Sequence, residues 1–93
     1  MTQPLNERDL GDALARLEGW RHDESSLLKE FRFDSFVEAF AFLTKVALLA
    51  ERQDHHPEIH NVYGRVALRL RTHDADDAVS ERDVALAEAI EAL

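Results

Sequence analysis

Ile59-His60-Asn61-Val62-Tyr63-Gly64-Arg65-Val66-Ala67-Leu68-Arg69-Leu70-Arg71-Thr72 is the stretch that decides the fold. Two strand-forming runs, Ile59 to Tyr63 and Arg65 to Thr72, flank Tyr63-Gly64, which reads as a tight hairpin turn. In the second run Val66, Leu68 and Leu70 face one way, and Arg65, Ala67, Arg69, Arg71 and His73 the other. Period-two alternation of this kind belongs to a sheet with one covered face and one wet face. The arginine stripe is then either solvated or paired with acidic side chains.

Working back from the hairpin, Ser35-Phe36-Val37-Glu38 has the form of a capping box, with serine followed three residues later by glutamate. The helix it opens is apolar on more than one side: Phe36, Val37, Ala39, Phe40, Phe42, Leu43, Val46, Ala47 and Leu49. A helix so apolar needs a second burial surface besides its own sheet, and a partner subunit is the natural candidate. It must end near Asp54 or His55, because Pro57 disfavours helical geometry at His56.

Further upstream, Trp20 to Phe33 reads as extended chain, turning at Asp23-Glu24-Ser25-Ser26. Leu27, Phe31 and Phe33 share one parity there, and Leu28, Glu30 and Arg32 the other. Lys29 interrupts the apolar side, so its stem is expected to lie across the sheet with its ammonium in water. Asn6 can cap a first helix in which Leu10, Ala13, Leu14 and Leu17 form one buried stripe, stopped by Gly19. Downstream, Ser80-Glu81-Arg82-Asp83 is a second capping box, with aspartate in place of the usual glutamate. It opens a last helix with Val84, Ala87, Ile90 and Leu93 on roughly one side.

The predicted order is helix, two strands, helix, two strands, helix. The expected fold class is α+β: a two-layer domain with a four-stranded antiparallel sheet and helices packed on one face. A chain of 93 residues with no internal repeat and no linker is expected to be one domain, residues 1–93. Net charge is 11 − 19 = −8, which argues against a phosphate backbone or an anionic membrane surface as partner. There is no cysteine, so disulfides, thiolate chemistry and cysteine-based metal sites are excluded. The first residues show no charged-then-apolar signal pattern, and the run from Phe36 to Ala50 is too short to span a membrane and carries Glu38 and Lys45. A cytoplasmic location is the expectation.

The chemistry concentrates in Glu51-Arg52-Gln53-Asp54-His55-His56-Pro57 and in His73. Histidine is the side chain whose ordinary pKa, about 6.5, lets it give and take protons near neutrality. The end of the central helix, the entry to the third strand and the exit from the fourth can meet in space. Three imidazoles around one cleft could protonate a leaving hydroxyl, remove a nearby proton or orient a polar ligand. Plainer readings stand beside this one. His55-His56 could simply end a helix, where imidazolium interacts favourably with the dipole. Asp83 could serve only as a helix cap, and His22 only as a surface residue. His56-Pro57-Glu58-Ile59-His60 has the spacing of a zinc-binding helix, but the proline and strand character argue against a metal site.

Taken together, Glu51, His55-His56-Pro57, an aromatic six residues on (Tyr63), His73 and Asp83 resemble the motif of the pterin-4a-carbinolamine dehydratase family. Leu17-Glu18-Gly19-Trp20, Phe31-Arg32-Phe33, Asn61-Val62-Tyr63, Thr72-His73-Asp74 and Ser80-Glu81-Arg82-Asp83 extend the likeness over nearly the whole chain. Two features depart from the family pattern. Ile59 and His60 stand where many members carry tryptophan and then a small or aromatic residue. The loop Asp74 to Val79 lacks the usual glycine and is one residue longer, a change that bears on the placement of Asp83.

The resemblance implies a hydro-lyase that removes water from a 4a-hydroxytetrahydropterin to give the quinonoid dihydropterin, in tetrahydrobiopterin recycling, with no metal and no cofactor. It makes His55 and His73 the general acid/base candidates. His56, with Pro57 fixing the chain direction, would bind and orient the ring, and His56 also counts among the catalytic candidates. Glu51 and Asp83 would orient an imidazole or shape the substrate-binding site. A homodimer or homotetramer is implied as well. Two other functions compete with this one: a non-catalytic dimerisation or assembly module of the same fold, and a metal-dependent hydrolase built on the histidine cluster.

Overall fold

The computed structural model describes residues 2–93 and contains three helices, one 3-10 turn and four strands, in the order the sequence predicts. They are α1 (Glu7–Arg16), β1 (Arg21–Asp23), β2 (Ser26–Arg32), α2 (Phe36–Gln53), β3 (Glu58–Val62), β4 (Arg65–Leu70) and α3 (Glu81–Glu91), with the 3-10 turn His73–Ala75 between β4 and α3. The strands form one antiparallel sheet in the order β1-β2-β4-β3. The fold is α+β.

The local signals are realised atom by atom. Asn6 accepts the Asp9 N–H at 2.8 Å, and Ser35 accepts the Glu38 N–H at 3.1 Å. Glu24 and Ser25 both have positive φ, the geometry of a two-residue hairpin turn that matches strand twist. At the second hairpin, Gly64 is required by close approach: a Cβ there would stand 2.2 Å from the Phe33 carbonyl oxygen. That proximity lets the Phe33 N–H donate to the Gly64 carbonyl at 2.7 Å, tying the end of β2 to the turn.

Register puts Leu27 opposite Leu70, Lys29 opposite Leu68 and Phe31 opposite Val66, so one sheet face is apolar from β2 to β4. This face joins Ala13 and Leu17 from the first helical segment, Ala39, Leu43 and Val46 of α2, and Val84, Leu86, Ala87 and Ile90 of α3 in a single core. Leu86 is fully buried although it lies off the expected stripe, and Leu93 beyond the helix is exposed. The opposite sheet face carries the arginines, and two of them pair: Arg69 with Asp23 at 3.0 Å and Arg71 with Glu58 at 2.9 Å.

Three features differ from expectation. Trp20 is not in a strand; its ring is buried and its indole N–H donates to Glu91 at 3.0 Å. The Lys29 ammonium is not left to water, because Glu91 and the Glu18 carbonyl take it at 2.8 and 3.0 Å. The fourth strand stops at Leu70, and His73 belongs to the 3-10 turn, not to the arginine face. There Thr72 bridges back to Ala78 and Ala75 is pulled into the core, which ends regular pairing.

α2 keeps a second, unburied apolar face. Phe36, Val37, Phe40 and Leu48 are all more than half exposed. Among the described residues no helix is long and apolar enough to cross a membrane.

Candidate active site

The site begins where α2 stops. Asp54 takes the left-handed conformation (φ 51°, ψ 45°), and the His55 N–H closes back on the Ala50 carbonyl at 3.0 Å. The last carbonyls of a helix need outside donors. Here Arg82, from the first turn of α3, donates to the Gln53 carbonyl at 3.5 Å and to the Asp54 carbonyl. This clamp joins the C-terminus of α2 to the N-terminus of α3. His55 turns inward and is buried; His56 turns outward and is exposed.

His55 Nε2 lies 2.5 Å from Oδ1 of Asp83, whose side chain is wholly buried. The other carboxyl oxygen, Oδ2, accepts the Thr72 hydroxyl at 2.8 Å and the Ser80 backbone N–H at 2.9 Å. Asp83 therefore fills both roles open to it: Oδ2 closes the capping box of α3 and Oδ1 holds an imidazole. The longer loop before it does not move it out of reach of His55. In this glycine-free loop Asp76 and Asp77 adopt the left-handed region at φ 58° and 56°, a conformation aspartate tolerates better than most residues.

His56 Nε2 is 3.0 Å from Oε1 of Glu51, five residues back on α2, and both side chains are largely exposed. Pro57 is half-buried between His56 and β3. His73 stands in open solvent, with Nδ1 3.0 Å from Oδ1 of Asp77. The hydrogen bond to Asp77 and its charge, with Asp74 adding to them, raise the His73 pKa above the ordinary histidine value.

His55, Asp83 and Thr72 are thus joined in one buried network. His56 and His73 follow His55 and Thr72 directly in the chain, so all three motif histidines sit at the corner where α2 ends, β4 exits and α3 begins. His22 lies on β1, and His60 faces the helix-free side of the sheet opposite Ala67. Two grooves on that face, about 450 and 460 Å³, hold His60 and none of His55, His56 or His73. Among the described residues no three His, Asp or Glu side chains cluster closely enough to hold a metal ion.

Three participants escaped the reading of the sequence, and a fourth, Ser80, is legible there only as a helix cap. Thr72 and Ser80 serve Asp83, Arg82 clamps the end of α2, and Asp77 engages His73. Ser80 and Arg82 lie inside a capping box, which gives them a sufficient local reason to be there. Asp77 lies in an acidic run that could equally be solvated loop.

The family model described as pterin 4 alpha carbinolamine dehydratase matches residues 3–93. A protein of Rhizorhabdus wittichii is 50% identical over 93 residues, covering 98% of this chain and 95% of that one. One from Prochlorococcus marinus strain MIT 9303 is 47% identical over 89 residues, covering 96% and 92%. Both bear the name of this dehydratase provisionally. A crystal structure of a transcriptional coactivator/pterin dehydratase from Brucella melitensis superposes with a TM-score of 0.91 at 37% identity, over 97% of each chain. A pterin dehydratase-like protein identified as a RuBisCO assembly factor in the alpha-carboxysome gives a TM-score of 0.68 at 28% identity, over 81% of this chain and 88% of its own. This chain belongs to the pterin 4 alpha carbinolamine dehydratase family.

Proposed function

We propose that the protein is a hydro-lyase that dehydrates 4a-hydroxytetrahydropterin to the quinonoid dihydropterin, as in tetrahydrobiopterin recycling. The observation that carries this reading is that the family's motif residues are present and His55 is held by the buried Asp83. In the reaction the bond from C4a to the hydroxyl oxygen breaks and the oxygen leaves as water. The electron pair comes from the neighbouring ring nitrogen, which gives up its proton. One group must donate to the leaving oxygen and another must receive a proton. No electron is exchanged, so no redox cofactor is needed, and in this reading the histidines rather than a metal handle the protons.

His73 is the general acid in this scheme. Asp77 favours its imidazolium form, the form that can protonate a leaving hydroxyl. His55 is its acid/base partner, steadied by Asp83. His56 binds and orients the pterin ring with Glu51 beside it, and Pro57 fixes the direction of the chain between the two. The small-molecule pterin is the substrate, and no nucleic acid or membrane partner is called for. The exposed face of α2 is where copies associate into a homodimer or homotetramer.

A second reading is a binding or assembly module of the same fold, favoured by the two solved relatives described as coactivator and assembly factor. One assay separates the two. 4a-Hydroxytetrahydropterin is generated by a hydroxylase, and quinonoid dihydropterin is followed by absorbance with and without the protein. Acceleration that survives a chelator and is lost in His55→Ala and His56→Ala, but not in His22→Ala, supports the dehydratase. No acceleration from folded protein rejects it in favour of the binding module.

A further inference from the structure

Thr72 is 1% exposed, and its hydroxyl sits between two others in a chain whose proton directions can be worked out. Ser80 Oγ accepts the Arg82 backbone N–H at 3.2 Å. Ser80 Oγ and Thr72 Oγ1 are 2.5 Å apart, and Thr72 Oγ1 is 2.8 Å from Asp83 Oδ2. Each hydroxyl has one proton to give. An ionised carboxylate only accepts, so the Thr72 proton goes to Asp83. Thr72 must then accept the Ser80 proton. Oδ2 also receives the Ser80 N–H at 2.9 Å, so both donors on that oxygen are committed. Oδ1 is left as the acceptor facing His55 Nε2.

That arrangement decides which imidazole nitrogen is free. With Nε2–H donating to Asp83, Nδ1 carries the exchangeable site. Among the described residues no buried side-chain nitrogen or oxygen lacks a partner. Nδ1 of His55 has no partner among them, so it opens to the surface even though the residue as a whole is buried.

We propose that Thr72 is a positioning residue: its hydroxyl locks the Asp83 carboxylate so that His55 is held as the Nε2–H tautomer and meets substrate through Nδ1. Thr72 also immediately precedes His73, and its carbonyl accepts the Ala75 N–H at 3.1 Å to start the turn that presents His73. One residue thus sets the tautomer of one histidine by its side chain and the approach of another by its backbone. The inference rests on the dehydratase reading for its kinetic consequence but not for the tautomer itself.

The test combines nitrogen-15 NMR of the histidine rings with dehydration kinetics on wild type, Thr72→Val and Thr72→Ser. In neutral wild-type protein, His55 is expected as a single tautomer protonated on Nε2. Valine keeps the shape and removes the hydroxyl. It should give mixed His55 tautomers and at least a tenfold fall in kcat, with KM changed less than twofold. Serine restores the hydroxyl and should return both the single tautomer and at least half of kcat. An Nδ1–H tautomer in wild type overturns the proposal whether or not any variant folds. A valine variant with an unchanged ring spectrum also overturns it. If wild type does not accelerate dehydration, the proposed function fails, while the ring spectra still decide the role of Thr72.

Discussion

Replacing Asp83 by asparagine tests whether this carboxylate is a shared structural support or a simple helix cap. Asp83 accepts from Thr72 and Ser80 on Oδ2 and faces His55 on Oδ1, with no exposure to solvent. Asparagine can keep two acceptor contacts on its one oxygen, but its NH₂ must then face His55. Hydrogen bonds to a charged group contribute about 1.5–3 kcal/mol and neutral ones about 1. Weakening two contacts and inverting the third gives a loss of roughly 2–4 kcal/mol. For a domain of this size each kcal/mol moves Tm by about 4–8 °C, so a fall of roughly 10–25 °C is expected. The assay is thermal unfolding followed by circular dichroism at fixed protein concentration, since association would itself shift Tm. Asp83→Ala, which strands the Thr72 and Ser80 donors, should be at least as destabilised. If Asp83→Asn unfolds within about 2 °C of wild type, the buried network does not carry the weight assigned to it.

Other expectations follow from single contacts. Asp77 raises the His73 pKa, so the imidazolium persists to higher pH than in free histidine. Activity that needs this acid is present at low pH and is lost as pH rises through that raised pKa. Asp77→Asn removes the charge, and the falling limb of the kcat profile should move to lower pH; an unmoved limb would take His73 out of the acid role. Phe40 is 55% exposed on the outer face of α2. Phe40→Glu should leave the monomer folded and shift the mass measured by light scattering towards monomer, and an unchanged mass would place association elsewhere. Gly64→Ala drives a Cβ against the Phe33 carbonyl. A cost of about 1–3 kcal/mol is expected from forced backbone shifts, read as a lower urea midpoint.

Some of this protein was legible without coordinates, because it depends on neighbours in the chain. Ser35 with Glu38, Ser80 with Asp83, Asn6 with Asp9 and the alternation of Val66, Leu68 and Leu70 all act over a few residues. They set the helix starts, the sheet's apolar face and the end of α2 before Pro57. The identities of the three histidines could be read in the same way, by spacing. Tertiary structure alone decided what each histidine does with its ring. His55 and Asp83 are 28 positions apart, and they meet because α2 and α3 pack in one core with the end of the first beside the start of the second, where Arg82 donates to the Asp54 carbonyl. The same long-range packing ends β4 at Leu70, lifts His73 off the arginine face and gives Asp83 two roles where local reasoning offered a choice of one. Capping and alternation are fixed by the geometry of one or two turns of backbone, whereas hydrogen-bond partners across the core depend on where whole elements come to rest.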